Sequence, residues 1–249
     1  MVSFNNAGRL GNWLFEFSTC VAYALKHNLD FTVPASTHDQ YWQPVYGLHL
    51  VNPNFNPHLE TIRLWENGHQ YQDLPFDESW RNKNIIIEGY RQSEKYFKDY
   101  RSEIIYLLDL PYEAKPDTCA IHIRRGDYVH LTNKHPQIPD SYFVNAMKKI
   151  NAETGVKRFK VYSDDIPYCV DFFNKIKCFL GFEADVVFST GLSELEDMAD
   201  SSGCFFHVNS ASTYSWWCAW LNRNPNKIVI TPKLWFVENY SLDTRDIIR

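Results

Sequence analysis

Between residues 118 and 231 short apolar runs alternate with amphipathic stretches, and this alternation constrains the fold more than any other feature of the chain. The apolar runs are 118–123 (TCAIHI), 158–163 (RFKVYS), 184–188 (ADVVF), 204–208 (CFFHV) and 227–231 (KIVIT). Between them lie helical patterns at 140–150, 167–178, 194–201 and 213–222. In the first of these, Tyr142, Phe143, Ala146, Met147 and Ile150 share one face, with Asp140 as expected N-cap. Ser193 and Glu196 have capping-box spacing before the third. Strands alternating with helices require crossover connections and so a parallel sheet.

The first half is less regular. A strand at 2–4 leads through Gly8 and Gly11 into a helix near 12–27, with Leu14, Phe17, Val21 and Leu25 as its apolar stripe. A strand is expected at 31–33 and another at 84–88 (NIIIE). A helix is expected at 93–108, with Phe97, Tyr100, Ile104 and Leu108 on one side. Residues 34–80, rich in Pro, Asn, His and aromatics, read as loops. The stretch 110–117 (LPYEAKPD) reads as a linker, dividing the 249 residues into domains of 1–112 and 113–249.

The polar motifs concentrate at one place in this scheme. His122-Ile123-Arg124-Arg125-Gly126-Asp127, Ser163-Asp164-Asp165 and Asn209-Ser210-Ala211-Ser212 each follow a predicted strand of the second half. Ligands of parallel α/β sheets bind outside the carboxyl ends of the strands, so the three segments are expected to form one site. Arg124 and Arg125 beside Asp127 read equally as an ion-pair knot or as a clamp for a diphosphate, whose oxygens match the guanidinium fork. Asp164 and Asp165 suit a divalent metal, the N1–H and N2 amine of guanine, or, for one of them, the cap of the following helix. Ser212 precedes a helix, where hydroxyls and free N–H groups suit an anion or serve as an ordinary cap. Trp216, Trp217 and Trp220 have helical spacing and read as core. Arg9 and Asn12 fall at the top of the first domain, facing the cleft.

Composition removes several alternatives. The net charge of −5 is scattered over both signs, without the basic stripe of a nucleic-acid binder. No apolar run reaches the roughly 18–20 residues that span a bilayer, and the start of the chain lacks a signal-peptide pattern. The expectation is a cytoplasmic protein, at most peripheral at a membrane, with the loss of an anchor left open. Cys20, Cys119, Cys169, Cys178, Cys204 and Cys218 form no C-x-x-C pair and read as buried thiols in a reducing compartment rather than as metal ligands.

Four segments resemble the α-1,2-fucosyltransferase family of bacterial and blood-group H and secretor enzymes. They are Gly8-Arg9-Leu10-Gly11-Asn12, Gly89-Tyr90-Arg91-Gln92-Ser93-Glu94-Lys95-Tyr96-Phe97, His122 to Tyr128, and the long run from Asn209 through Ser215-Trp216-Trp217 to Asn222. Trp13 stands where the family usually has Gln, and Ala211, Tyr214 and Cys218 are further departures. The resemblance implies two Rossmann-like domains of glycosyltransferase-B type, acceptor side first and the donor site in the C-terminal parallel-sheet domain. It implies GDP-β-L-fucose as donor, a galactose-terminated glycan as acceptor, inversion at the transferred carbon, and no metal or other cofactor. It makes Arg124 the leading phosphate contact and Arg125 the second, with Asp164 or Asp165 reading guanine and Ser210 and Ser212 reaching the phosphates. Asn12, His122 and Asn209 complete the expected donor site, and Asp127 joins the arginines as a catalytic candidate. Asp127, His130, His135 and Asp140 are candidates for the base. A fucosyltransferase of another linkage and an inactive GDP-sugar-binding module are the competing readings.

Overall fold

The computed structural model describes residues 1–5, 7–34, 56–68, 70–133 and 135–235. The chain divides into two compact units, one of Met1–Leu110 and one that starts at Pro111.

The first unit is built on three parallel strands: β1 (Val2–Phe4), β2 (Thr61–Leu64) and β3 (Asn84–Ile87), in the order β1-β3-β2. Helix α1 (Leu10–His27) follows β1, starting two residues before its expected position. From Leu10 to Ala24 it is buried almost all round, including Glu16, Ser18 and Thr19, so it has no narrow apolar stripe. Leu25, expected in that stripe, is exposed. Trp13 is fully buried, stacked on Phe17 at 4.9 Å and edge-on to Phe4 at 5.9 Å. Burying side chains of that size contributes about 1.5–3 kcal/mol each, which anchors α1 on β1.

Several expectations for this half are corrected. Residues 31–33 do not form a strand: Phe31 makes a single bridge to Val2, and Pro34, which has no N–H and constrains Val33, ends the pairing. Within 34–80, of which 35–55 lie outside the described residues, β2 was expected to be loop. Its Thr-Ile-Arg-Leu alternation has period two, but it is an edge strand with only Leu64 buried, so its pattern is faint. The helix expected at 93–108 is two 3-10 turns, Glu94–Tyr96 and Lys98–Tyr100, followed by α2 (Arg101–Leu108). Phe97 breaks it, with a φ of −143° and ψ of −1° that no helix allows. Phe97, Ile104 and Leu108 still face the core.

The second unit is a five-stranded parallel sheet of β4 (Lys115–Ile123), β5 (Arg158–Ser163), β6 (Asp185–Phe188), β7 (Cys204–Val208) and β8 (Ile228–Ile230), in the order β6-β5-β4-β7-β8. Helices α3 (Asp140–Thr154), α4 (Ile166–Ile176), α5 (Glu194–Ser202) and α6 (Thr213–Leu221) connect them. Phe143, Met147 and Ile150 of α3 and Phe172, Phe173 and Ile176 of α4 pack on Cys119, Ile121, Phe159 and Val161. The alternate residues Ala120 and Tyr162 face the other side, where Cys204 joins them. There Asp200 of α5 accepts from Lys115, Lys160 and Tyr162, pinning the helix to β4 and β5.

The strand pattern of this half matches the sequence reading closely, with three differences. The linker stretch 110–117 loses its last three residues to β4, where a register shift between Lys115 and Cys119 accommodates Pro116. Asp140 is the first residue of α3 and not its N-cap; Pro139 takes that position, and no side chain caps the helix. Cys178 is exposed, whereas the other five cysteines are buried free thiols. The capping box of Ser193 and Glu196 is present, and Trp216, Trp217 and Trp220 are buried.

Arg91 is the structural pin of the first unit. It is 1% exposed. Its Nε donates to Glu88 O at 3.0 Å and an Nη to Leu64 O at 2.6 Å, tying the ends of β2 and β3 together. Replacing it strands the Glu88 carbonyl, at about 1–3 kcal/mol, and removes one of the two donors to Leu64 O, which keeps the Glu88 N–H at 3.0 Å. Arg91→Met is therefore expected to lower stability by about 1–3 kcal/mol in urea unfolding; a loss within error of zero would show that the guanidinium holds nothing.

Candidate active site

The sheet of the second unit has its topological switch point between β4 and β7. The chain steps from β4 to β5 and β6 on one side, then returns to β7 and β8 on the other. Crossovers that leave in opposite directions open a crevice at the carboxyl ends of the two strands. Arg124 and Arg125 follow β4 there, and Asn209 to Ser212 follow β7.

The register sets which groups meet. Ile123 pairs with Ser163, so Arg124 and Arg125 emerge level with Asp164 and Asp165. Arg124 donates one Nη to Asp164 and the other to Asp127. The Arg125 N–H donates to Asp164 Oδ1 at 2.9 Å and its Nε to Asp165 Oδ2 at 3.2 Å. Asp165 also caps α4, accepting from the Tyr168 N–H at 3.2 Å. The arginines and aspartates are thus one ion-pair knot, and Asp165 is the helix cap of the acidic pair. Gly126 makes the knot possible: a Cβ there would lie 2.4 Å from Asp164 Oδ2.

Aromatic faces complete the support. The Arg125 guanidinium lies 3.5 Å from the centre of the Tyr168 ring, and Arg124 lies 5.3 Å from that of Tyr128. A cation over a ring face is held by the ring quadrupole. Sequence reasoning did not single out either tyrosine. Tyr128 sits four residues after Arg124, while Tyr168 reaches Arg125 from α4, and neither spacing carries a distinctive signal.

His122 Nδ1 lies 2.7 Å from Ser210 Oγ, and the His122 and Tyr214 ring centres are 5.3 Å apart. Burial pushes the His122 pKa down to about 4; Asp164 opposes the shift and Arg124 adds to it. The imidazole is therefore neutral at neutral pH. Asn209, Ser210 and Ser212 are all buried. Their backbone is fixed by Tyr142 Oη, 2.7 Å from Asn209 O, and by Ser215 Oγ, 2.9 Å from Ser212 O. Ser212 occupies the N-cap of α6, but its side chain makes no capping bond.

A cleft opens beside the knot, walled by Arg124, Arg125, Tyr128, Tyr168 and Ser210 and floored by Ile138, Phe143, Phe172 and Ala211. Asp140, at the start of α3, is on its rim. Of the other base candidates, Asp127 is bonded to Arg124, His135 is stacked on Tyr128 at 3.7 Å, and His130 is exposed. The knot thus gathers His122, Arg124, Arg125, Asp127, Asp164, Asp165 and Ser210. Asn12 belongs to the first unit, where its Oδ1 accepts from Gln92 Nε2 at 2.9 Å. Among the described residues, no group of three or more His, Cys, Asp or Glu side chains has the arrangement of a metal site, and no helix is long and apolar enough to cross a membrane.

Comparison with known proteins places this geometry in context. Residues 1–245 match the family described as Glycosyl transferase family 11. An alpha-1,2-colitosyltransferase of Escherichia coli is 30% identical over 167 residues, 61% of this chain and 57% of that protein. The O-antigen biosynthesis glycosyltransferase WbnK of E. coli is 34% identical over 127 residues, 49% of this chain and 40% of that protein. Thus the chain spans about half the length of these two relatives. Galactoside alpha-(1,2)-fucosyltransferase 2 of Mus musculus is 26% identical over 251 residues, 88% of this chain and 67% of that protein. The fold is shared with POFUT1, solved in complex with GDP-fucose, at a TM-score of 0.53 and 13% identity, covering 94% of this chain and 97% of that one. It is likewise shared with an Arabidopsis thaliana FUT1 mutant in complex with GDP, at 0.56 and 12%, covering 94% and 71%.

The neutral state of His122 is directly testable. The folded protein takes up this proton near pH 4, the unfolded chain near 6.5. Stability from the neutral imidazole is therefore full above about pH 6.5 and is lost as pH falls toward 4. An NMR titration of His122 is expected to give a midpoint near 4; an unshifted midpoint would contradict the buried pairing with Ser210.

Proposed function

Because the chain belongs to glycosyl transferase family 11, we propose that it is an inverting galactoside α-1,2-fucosyltransferase. It moves L-fucose from GDP-β-L-fucose to the 2-hydroxyl of a terminal galactose. In this reading the molecule has the glycosyltransferase-B plan of two Rossmann-like domains, with residues 1–112 on the acceptor side and 113–249 binding the donor.

One observation carries the reading: two arginines, gripped by carboxylates and backed by tyrosine rings, stand at the switch point of a parallel sheet. A guanidinium has five N–H donors, so the bonds to Asp164, Asp165 and Asp127 leave donors for a diphosphate. As the bond from fucose to GDP breaks, charge builds on the β-phosphate. Arg124 meets that charge first and Arg125 second, since catalysis requires donors aimed where charge develops. The backbone N–H groups opening α6 after Ser212 add to this, and the Ser210 hydroxyl, held on His122, stands at the cleft wall. Asp164 is the first candidate to read guanine, because Asp165 is committed to capping α4. Asp127 acts on the chemistry through Arg124, which it orients.

Metal independence is part of the proposal. A divalent ion on Asp127, Asp164 or Asp165 would have to displace the guanidiniums that these carboxylates already hold. Full transfer is expected from metal-stripped enzyme in excess EDTA; activity that vanished and returned with Mn²⁺ would make the aspartates a metal site.

The deciding assay is fucose transfer from GDP-fucose to a β-galactoside, with the product linkage read by NMR. Another linkage would support the competing transferase, and GDP binding without transfer would support the inactive module. Arg124→Lys keeps the charge but loses the fork. It is expected to cut transfer at least about tenfold, roughly 1.4 kcal/mol, with melting temperature unchanged; full turnover would put the phosphate clamp elsewhere. Titration calorimetry is expected to give far tighter binding of GDP than of UDP or ADP, because a site built on hydrogen bonds rejects partners that leave its groups unpaired. Equal affinities would remove guanine reading.

A further inference from the structure

The first unit has its own carboxyl edge, and a distinctive set of groups gathers there. Glu66 follows β2, and Gly89-Tyr90-Arg91-Gln92 follows β3. The two segments are laced together. The Arg91 N–H donates to Glu66 Oε1 at 3.1 Å and its guanidinium to Leu64 O at 2.6 Å. A Cβ at Gly89 would fall 2.4 Å from Glu66 Cβ, so only glycine leaves Glu66 its place.

Each laced segment also carries one solvent-facing aromatic residue, Trp65 just before Glu66 and Tyr90 between Gly89 and Arg91. Trp65 is 62% exposed and Tyr90 is 39% exposed. Single exposed aromatics are common and mean little, but Tyr90 is held out by backbone conformation. It stands between Gly89, at φ +91°, and Arg91, at φ +50°. Arg91 accepts a left-handed conformation that a side chain of its size avoids, and in doing so turns its guanidinium inward. Strain of this kind persists where the surroundings enforce it and clusters at functional sites. A second observation comes from beneath. Glu16 is 1% exposed, with Oε2 accepting from the Ala7 N–H at 3.0 Å and Oε1 lacking a hydrogen-bond partner among the described residues. Burial, opposed by the Ala7 N–H bond and helped by the charges of Glu66 and Glu88, raises its pKa to about 9, so it is a neutral acid.

Flat exposed rings on the segments that hold a fixed carboxylate match the two faces of a pyranose. Its C–H face stacks on an aromatic ring, and its hydroxyls donate to carboxylate oxygens. We infer that this edge is the acceptor-sugar subsite, with Tyr90 and Trp65 stacking on the galactose ring and Glu66 accepting from its hydroxyls. The assignment to an acceptor rests on the transferase reading above; the assignment to a sugar does not.

The test is binding of methyl β-D-galactopyranoside, followed by saturation-transfer NMR, to the wild type and to Tyr90→Ala, Trp65→Ala and Glu66→Gln. GDP is titrated into the same samples. Galactoside affinity is expected to fall at least about tenfold in each variant, roughly the factor that 1.4 kcal/mol represents, and Tyr90→Phe is expected to retain it. GDP affinity stays at the wild-type value. Tyr106→Ala, which removes an 82% exposed ring from α2, is expected to change neither. A wild type that does not bind the galactoside, or variants that bind it as the wild type does, overturn the subsite. Galactoside binding that depends on Tyr90 and Trp65 in a protein that does not bind GDP supports the subsite and defeats the donor reading instead.

Discussion

The pairing of Ile123 with Ser163 is the constraint on which the geometry of the second unit's polar site depends. In a parallel sheet, register decides which residues leave neighbouring strands at the same height. Here it puts two guanidiniums against two carboxylates with no long loop to fix. A shift of one residue would also turn alternate side chains to opposite faces, sending Ile121 and Ile123 out of the core they share with Phe143 and Phe172. The hydrophobic core therefore enforces the polar site. Packing of α3 and α4 on one face excludes the one-residue slips that would separate Arg124 from Asp164.

The first unit solves a similar problem with one residue. Its sheet has three short strands, and β2 buries little. Arg91 joins the ends of β2 and β3 through their carbonyls, and Tyr96 supports it with an Oη 3.3 Å away. A buried cation is costly unless its protons are placed. The carbonyls answer that requirement, and Glu66 and Glu88 supply negative charge nearby. The motif Gly89-Tyr90-Arg91-Gln92 thus has a structural logic before any functional one.

How far the sequence discloses this depends on the range of the interactions. The strands β4, β5 and β7 carry enough buried apolar residues that their carboxyl ends, Ile123, Ser163 and Val208, could be read to the residue. β2 could not, because an edge strand with one buried side chain carries little pattern. The helix expected at 93–108 failed at Phe97, where apolar spacing fits a helix but the backbone turns to seat the ring against Phe15. At the site, the alternation of strand and helix was enough to bring three motifs to one edge. It could not show that Asp165 caps α4, that Ser210 holds His122, or that Tyr128 and Tyr168 lie against the arginines. Those contacts depend on side-chain directions that spacing alone does not carry.

If the knot takes a diphosphate, as proposed, its charge balance bears on how that ligand would enter. Two guanidiniums face three carboxylates, so attraction by net charge is not what the site offers. The three carboxylates differ in exposure and in the groups they accept from. Asp164 also accepts the Arg125 N–H, and Asp165 accepts the Tyr168 N–H. Asp127 has the most exposed side chain of the three, 42%, and pairs with Arg124 across three residues of a short turn. Exposed pairs of that kind contribute about 0–1 kcal/mol, and a bidentate phosphate contact with the same guanidinium is stronger. On the proposed reading, an incoming diphosphate would compete for Arg124 with the exposed Asp127 side chain, which orients that guanidinium beforehand, while Asp164 and Asp165 keep the forks aligned.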